Sequence, residues 1–422
     1  MSRGQNSHPY LVLFGLWLMV FSSSSQVIII SPILPRIGEA LAVSEARLGW
    51  LITSYAVFLS VFALIIGPIS DRVGRRAVLL AGSGCMAIAL LLHAVADTFT
   101  SLLVVRAAAG AAGGMLSGGA VSYVGDYFPY ERRGWANGWV MSGIAVGQIV
   151  GIPIGTVLAE QFGFRAAFLM FAATMGAATL LIYFFVPQPD VKRSEHPLSF
   201  KRSVQSYLDL LKEPTIVSAT VVYFLMFFGI GIYVIYLPTW LERELSVTGN
   251  AIASLFLVGG IVNVITGPIA GRVSDSVGRK PLIVLSCVGL AAAMLLTTPL
   301  VNGMIVAYLM FAVVMITISM RISPLQSLMT ELVEADRRGV LMSLAVSLGQ
   351  VGIGIGGGIA GLAFTRYGFG SNTVIGAISI AAMALMVIYF LPEPESRELA
   401  IAEAEETPVP GSAFQGGTQT NA

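Results

Sequence analysis

The 422-residue sequence predicts an all-α polytopic membrane protein, with twelve transmembrane helices arranged as two parallel six-helix repeats. Three observations predict it: an apolar composition nearly empty of charge, twelve long uncharged runs, and motifs that recur at an offset of about half the chain.

Hydrophobic residues make up 56% of the chain and charged residues 11%, against roughly 25% charged in an average soluble protein. Three soluble domains, the simplest reading of this length, are therefore excluded. A net charge of +1 argues against nucleic-acid binding, and two cysteines in apolar runs, Cys85 and Cys287, argue against a disulfide scaffold. The 46 glycines suit closely packed membrane helices.

A bilayer-crossing helix needs about 20 mostly apolar residues. Such runs lie near 12–33, 48–69, 78–96, 101–124, 136–158, 166–186, 214–237, 250–270, 281–300, 304–328, 340–364 and 372–391. The first is read as a span rather than a signal peptide, because only Arg3 precedes it and no small-x-small site follows. With the N-terminus inside, 17 of the 24 basic residues fall in cytoplasmic segments, five in outer loops, and Arg106 and Arg321 within spans. That bias predicts a multi-pass protein of the cell membrane with both termini in the cytoplasm.

The chain is doubled. Asp71-Arg72-Val73-Gly74-Arg75-Arg76 recurs as Asp275-Ser276-Val277-Gly278-Arg279-Lys280, an offset of 204. Leu34-Pro35 recurs as Leu237-Pro238, and Gly147-Gln148 as Gly349-Gln350. Two halves in the same orientation are expected, 1–186 and 214–391, joined by a cytoplasmic linker over 187–213 and followed by a disordered tail over 392–422. Parallel repeats of this kind mark transporters in which one half rocks against the other.

The segment Gly67-Pro68-Ile69-Ser70-Asp71-Arg72-Val73-Gly74-Arg75-Arg76 resembles the signature between helices two and three of the major facilitator superfamily, with a degraded copy from Gly271. The resemblance implies the major facilitator fold and a secondary transporter. It also implies that Asp71 latches one conformation across the halves, a gating role shared with Gly67, Arg72, Gly74, Arg75, Asp275, Gly278 and Arg279. In the residues themselves, Gly67 is expected to let the second span end close against a neighbour, and the arginines hold the loop at the cytoplasmic face.

Arg106 opens Arg106-Ala-Ala-Ala-Gly110-Ala-Ala-Gly113, which resembles the family's helix-four motif, with Ala109 in place of its glutamine. That arginine is associated with the substrate or proton pathway; the alternatives are snorkelling and pairing with Asp97. In the fifth span, Gly138, Gly147, Gly151, Pro153 and Gly155 resemble the motif typical of drug-exporting antiporters, interrupted by Ile152. Gly147 and Gly151 at i, i+4 also make a flat packing groove.

Polar residues within spans are candidates for a central pathway. Ser22 to Ser25 and Gln26 interrupt the first span where the seventh carries Phe227-Phe228-Gly229-Ile230-Gly231. The pathway is expected to use Gln26, Ser25, Tyr55, Arg106, Gln148, Tyr233, Asn263, Arg321 and Gln350. Arg321, about 25 Å along the tenth span, either snorkels to the inner interface or turns into the cavity to favour anions. His93 is read as a packed polar residue. All 23 acids fall outside mid-span, so any proton coupling is expected at the faces, through Asp97, Glu45 or Asp71.

No phosphate-cradling loop or metal-ligand cluster is present in the sequence, so neither an enzyme nor a cofactor or metal site is expected; H+ is the possible coupling ion. The expected function is export of small amphipathic organic compounds or drugs by proton antiport, a multidrug-resistance activity, with the lipid bilayer and the cargo as partners and the monomer as the working unit. Import or exchange of an organic anion is the alternative, and a non-transporting sensor or assembly factor a third.

Overall fold

The structure, a computed structural model, describes residues 8–189, 205, 207–334 and 337–392. Most of the linker (190–204), the tail after Pro392 and the side chain of Asp71 lie outside the described residues.

Among the described residues twelve helices are long and apolar enough to cross a membrane: Pro9–Ile28, Glu45–Gly67, Arg75–Val95, Phe99–Tyr127, Tyr130–Phe162, Phe164–Phe185, Pro214–Leu245, Gly249–Val277, Arg279–Leu300, Met304–Glu331, Arg338–Tyr367 and Phe369–Phe390. These are the first to twelfth spans, and the protein is a multi-pass membrane protein of the expected fold class. Pro9 and Phe390 mark its terminal end; the opposite end is the far end.

Two departures from regular helix shape the interior. The first run does not continue to 33; the helix breaks at Ile29, and a second helix, Ile30–Leu41, carries Pro35. The seventh span breaks likewise between Pro214–Val234 and Leu237–Leu245, so the repeated Leu-Pro pair lies in both extensions. In the fifth span a widened π turn covers Gly147–Gly151. It includes the carbonyl of Ile149, four residues before Pro153, which has no N–H to offer it.

The halves meet along two seams. The second span lies along the eleventh: Thr53 Oγ1 donates to the Gly354 carbonyl (2.5 Å) and Ser60 Oγ to the Ser347 carbonyl (3.0 Å). The fifth lies along the eighth, where Asn263 Nδ2 donates to Gln148 Oε1 (2.7 Å). Gly354 and Gly357 permit the approach, since a Cβ on either would press on Ala56 or Ile52.

The far end is bonded across the halves. Ser31 Oγ donates to the Val234 carbonyl (2.8 Å), Tyr236 Oη donates to the Glu45 carbonyl (2.6 Å), and Arg243 pairs with Glu45. Arg36 meets Glu160 (2.6 Å) and Glu39 (3.3 Å) of its own half and Glu242 (3.6 Å) of the other. Burial works against the charge of Arg36, but the Glu160 hydrogen bond and the fields of Glu242, Glu160 and Glu39 outweigh it and raise its pKa.

At the terminal end, the ion pairs beside the repeated turns join neighbouring spans of one half among the described residues. Gly74 (φ +108°) and Gly278 (φ +103°) turn the chain between paired spans in a conformation that suits glycine. The arginine after each then grips the foot of a neighbouring span: Arg75 Nε to Asp126 Oδ2 (2.7 Å), and Arg279 to Glu331. Asp126 and Glu331 are 205 apart, so this pair too is repeated. Gly67, in contrast, has open space beside its Cα, and the close approach expected there does not occur; the helix runs on to Val73 before Gly74 ends it.

Candidate functional site

Between the halves lies a cavity of about 390 Å³. Ser24, Tyr55, Arg106, Gln148, Asn263 and Gln350 give it polar points, and Ile, Val, Met and Phe side chains supply most of the wall, among them Met226, Phe227, Phe256, Phe311 and Met315. Arg106 is the one charged residue of the lining among the described residues.

The N-terminal half contributes a polar corner. Arg106 is 1% exposed; Nη1 donates to Gln26 Oε1 (3.2 Å), and the guanidinium lies over the rings of Tyr55 (4.8 Å) and Phe168 (5.6 Å). Gln26 Nε2 in turn donates to Tyr55 Oη (2.9 Å). Gln26 thus sits behind the wall and joins two residues that form it. Arg106 does not snorkel, and Asp97 is bonded to Arg165 instead (2.8 Å). His93 packs as expected: it is fully buried, stacked on Phe168, with Nδ1 against the Ala89 carbonyl.

The amides of Gln148 and Asn263 meet across the halves, and Ser319 donates to the Asn263 carbonyl (3.0 Å) and side chain. Gln350 Oε1 is buried with no partner among the described residues. Each is a short bond or a free acceptor at the cavity wall, suited to orienting a cargo held mainly by apolar contact.

Several expected pathway residues lie elsewhere. Ser25 donates to the Phe21 carbonyl and fills the groove of Gly147 and Gly151, where a Cβ at Gly151 would stand 2.7 Å from its Oγ. Those glycines therefore pack the fifth span on the first, as the spacing suggests. Gly155 does the same against Ile29, but Gly138 faces open space and takes no part. Tyr233 points away from the cavity and bonds Thr297 Oγ1 (2.8 Å). Arg321 neither snorkels nor lines the cavity. It is fully buried inside the C-terminal half, with Nη1 3.7 Å from Cys287 Sγ and with Nε and Nη2 lacking partners among the described residues.

The wall residues Ser31, Phe227, Phe256, Phe311 and Met315 went unidentified as pathway residues. An apolar side chain in an apolar helix carries no mark of the face it occupies, and only the repeat equivalence of the first and seventh spans hinted at Phe227.

Two six-helix halves around a central cavity, bonded across at the far end, have the architecture of a carrier. The sequence matches the family model of the Major Facilitator Superfamily over residues 16–357 and 219–416, and the chain belongs to that superfamily of transporters, not enzymes. It is 26% identical over 394 residues to the uncharacterized MFS-type transporter YceJ of Bacillus subtilis (strain 168), covering 92% of this chain and 99% of YceJ. It is 28% identical over 308 residues to the multidrug resistance protein MdtG of Proteus mirabilis (strain HI4320), covering 69% of this chain and 73% of MdtG. A D-xylose–proton symporter has a similar fold, with a TM-score of 0.77 at 18% identity over 91% of this chain and 98% of the symporter. So does the human organic anion transporter MFSD10, with a TM-score of 0.70 at 18% identity over 90% of this chain and 100% of that one.

Proposed function

We propose that this transporter exports small amphipathic organic compounds by alternating access in exchange for protons, from the cell membrane, with both termini in the cytoplasm and a single chain as the working unit. The cavity is the observation that supports this most. Its wall is mainly apolar with a few amide and hydroxyl groups, which suits cargo recognised by shape and partition rather than by many hydrogen bonds. The basic-residue bias supports a cytoplasmic position for the terminal end. The bonded far end then closes the cavity to the outside, the state in which an exporter takes up cargo. The likeness to multidrug resistance proteins supports the same direction.

The cavity lining holds no carboxylate among the described residues. On this reading proton exchange uses acids of the far-end seam, Glu45 and Glu242, a choice supported by their facing Arg243 and Arg36 across the halves.

The test is counterflow of a panel of amphipathic compounds in proteoliposomes with the terminal end outward. Saturable accumulation that an acid interior accelerates is expected. Flux that does not saturate would remove the carrier reading, and saturable flux indifferent to the gradient would remove proton exchange.

A further inference from the structure

We propose that Gln350 is a specificity-determining residue, its carboxamide oxygen taking a hydrogen bond from the cargo, and that the preferred cargo is a neutral amphiphile with an O–H or N–H donor. The inference rests on the export reading above and specifies its substrate class.

The carboxamide repeated between the halves is matched on one seam and not on the other. Gln148 of the fifth span and Gln350 of the eleventh are equivalent in the repeat. Gln148 Oε1 accepts from Asn263 Nδ2 across the halves (2.7 Å), and Ser319 Oγ donates to Asn263 Oδ1 from behind. Gln350 Oε1 is buried and has no partner among the described residues. At the 204-residue offset of the second and eighth spans, Asn263 corresponds to Leu59. Leu59 turns toward the fourth span, where a Cβ at Gly113 would stand 3.4 Å from its Cδ1, just as Asn263 turns toward Ser319 of the tenth. The position is kept, and its amide is replaced by an apolar side chain.

The neighbouring hydroxyls do not make up the loss. On the seam of the second and eleventh spans, Thr53 Oγ1 donates to the Gly354 carbonyl and Ser60 Oγ to the Ala56 and Ser347 carbonyls. A buried acceptor without a donor is costly. Gln350 lines the cavity, and that is the direction from which a donor can reach it.

The surroundings limit what carries the donor. The lining holds no acid among the described residues to pair with an ammonium, so a neutral donor fits best. Phe227 lies against Gly349, the residue before Gln350, and Ile353 follows about one turn along; both line the cavity. An acceptor flanked by apolar side chains suits an aryl or alkyl body with a single donor, rather than a polyol.

The test uses two pairs of compounds that share a body: 4-phenylbutan-1-ol with its methyl ether, and 4-phenylbutanamide with its N,N-dimethyl form. Both members of each pair accept hydrogen bonds, and only the first donates. Binding to the full chain in nanodiscs is measured by calorimetry, and counterflow in proteoliposomes. The ratio of donor to non-donor affinity is expected to fall about three- to tenfold from the parent to Gln350→Met, the range for a neutral hydrogen bond. That variant keeps the length of the side chain without its amide, and the change in the ratio cancels partition into lipid. Leu59→Asn returns an amide to the repeat-equivalent position and guards against misfolding of the first variant. It should lower the ratio likewise, because the protein then supplies the donor itself.

An equal ratio in the parent and in Gln350→Met, or binding of none of the four compounds, overturns the inference. An equal ratio accompanied by saturable counterflow would do so while leaving the export reading intact.

Discussion

At the residue scale, the two in-span arginines have opposite fates. Both stand in helices apolar on every side, where no polar face shows which way a side chain turns. Sequence therefore located Arg106 and Arg321 within the bilayer but could not separate cavity wall from bundle interior. Arg321 lies against Cys287, with two of its three nitrogens lacking partners among the described residues. An unpaired buried charge is costly, and even buried ion pairs replaced by apolar side chains of similar volume are often neutral or more stable by about 1–4 kcal/mol. Arg321→Met should raise or preserve the Tm and leave the KM for cargo unchanged. A KM shift of tenfold or more for an anion would return Arg321 to the pathway. The gripping pairs below the turns act differently. The side chains of Arg75 and Asp126 are 22% and 25% exposed, so their pair is worth about 1 kcal/mol or less. A double-mutant cycle of Arg75→Gln and Asp126→Asn should give a coupling of that size, and zero coupling would reduce the contact to topology.

At the element scale, the fifth span shows how far spacing carries. Gly147 and Gly151 are four residues apart, nearly one turn, and both meet Ser25 of the first span. Gly138 is nine residues before Gly147, which at about 100° per residue places it about 180° around the helix. The groove instead continues through Gly143, where a Cβ would stand 2.7 Å from the Trp17 carbonyl. Motif spacing thus revealed the contact but assigned one glycine to the wrong face. Gly147→Leu and Gly151→Leu should each impair flux and cost roughly 1–3 kcal/mol through overpacking. Gly176 serves as the control, since it is helical and has open space beside it. Thermal unfolding and counterflow of Gly147→Leu, Gly151→Leu and Gly176→Leu decide the matter, and equal tolerance at all three sites would contradict the groove.

At the scale of the whole molecule, the doubling was legible because repeated motifs leave a constant offset, and the twelve spans because lipid demands long apolar runs. The bonds between halves were not. Ser31 with Val234, or Gln148 with Asn263, depends on the relative height of helices far apart in the chain, and composition does not encode that height. The far-end seam is the main such case, since Arg36 of one half holds Glu242 of the other amid Glu39 and Glu160. If the halves rock about the cavity, this seam must break for the far end to open. Glu242→Gln keeps the shape and weakens the pair by about 1 kcal/mol, which shifts a two-state population about fivefold. Ile30, on the cavity wall beyond the helix break, reports the opening once changed to cysteine in a chain carrying Cys85→Ser and Cys287→Ser. A membrane-impermeant maleimide applied from the far end should label Ile30→Cys slowly, and about fivefold faster when Glu242→Gln is added. Glu244→Gln, a change on the same short helix without an ion pair among the described residues, should leave the rate alone. Equal rates with and without Glu242→Gln would show that the seam closes through Ser31, Tyr236 and Glu45 instead.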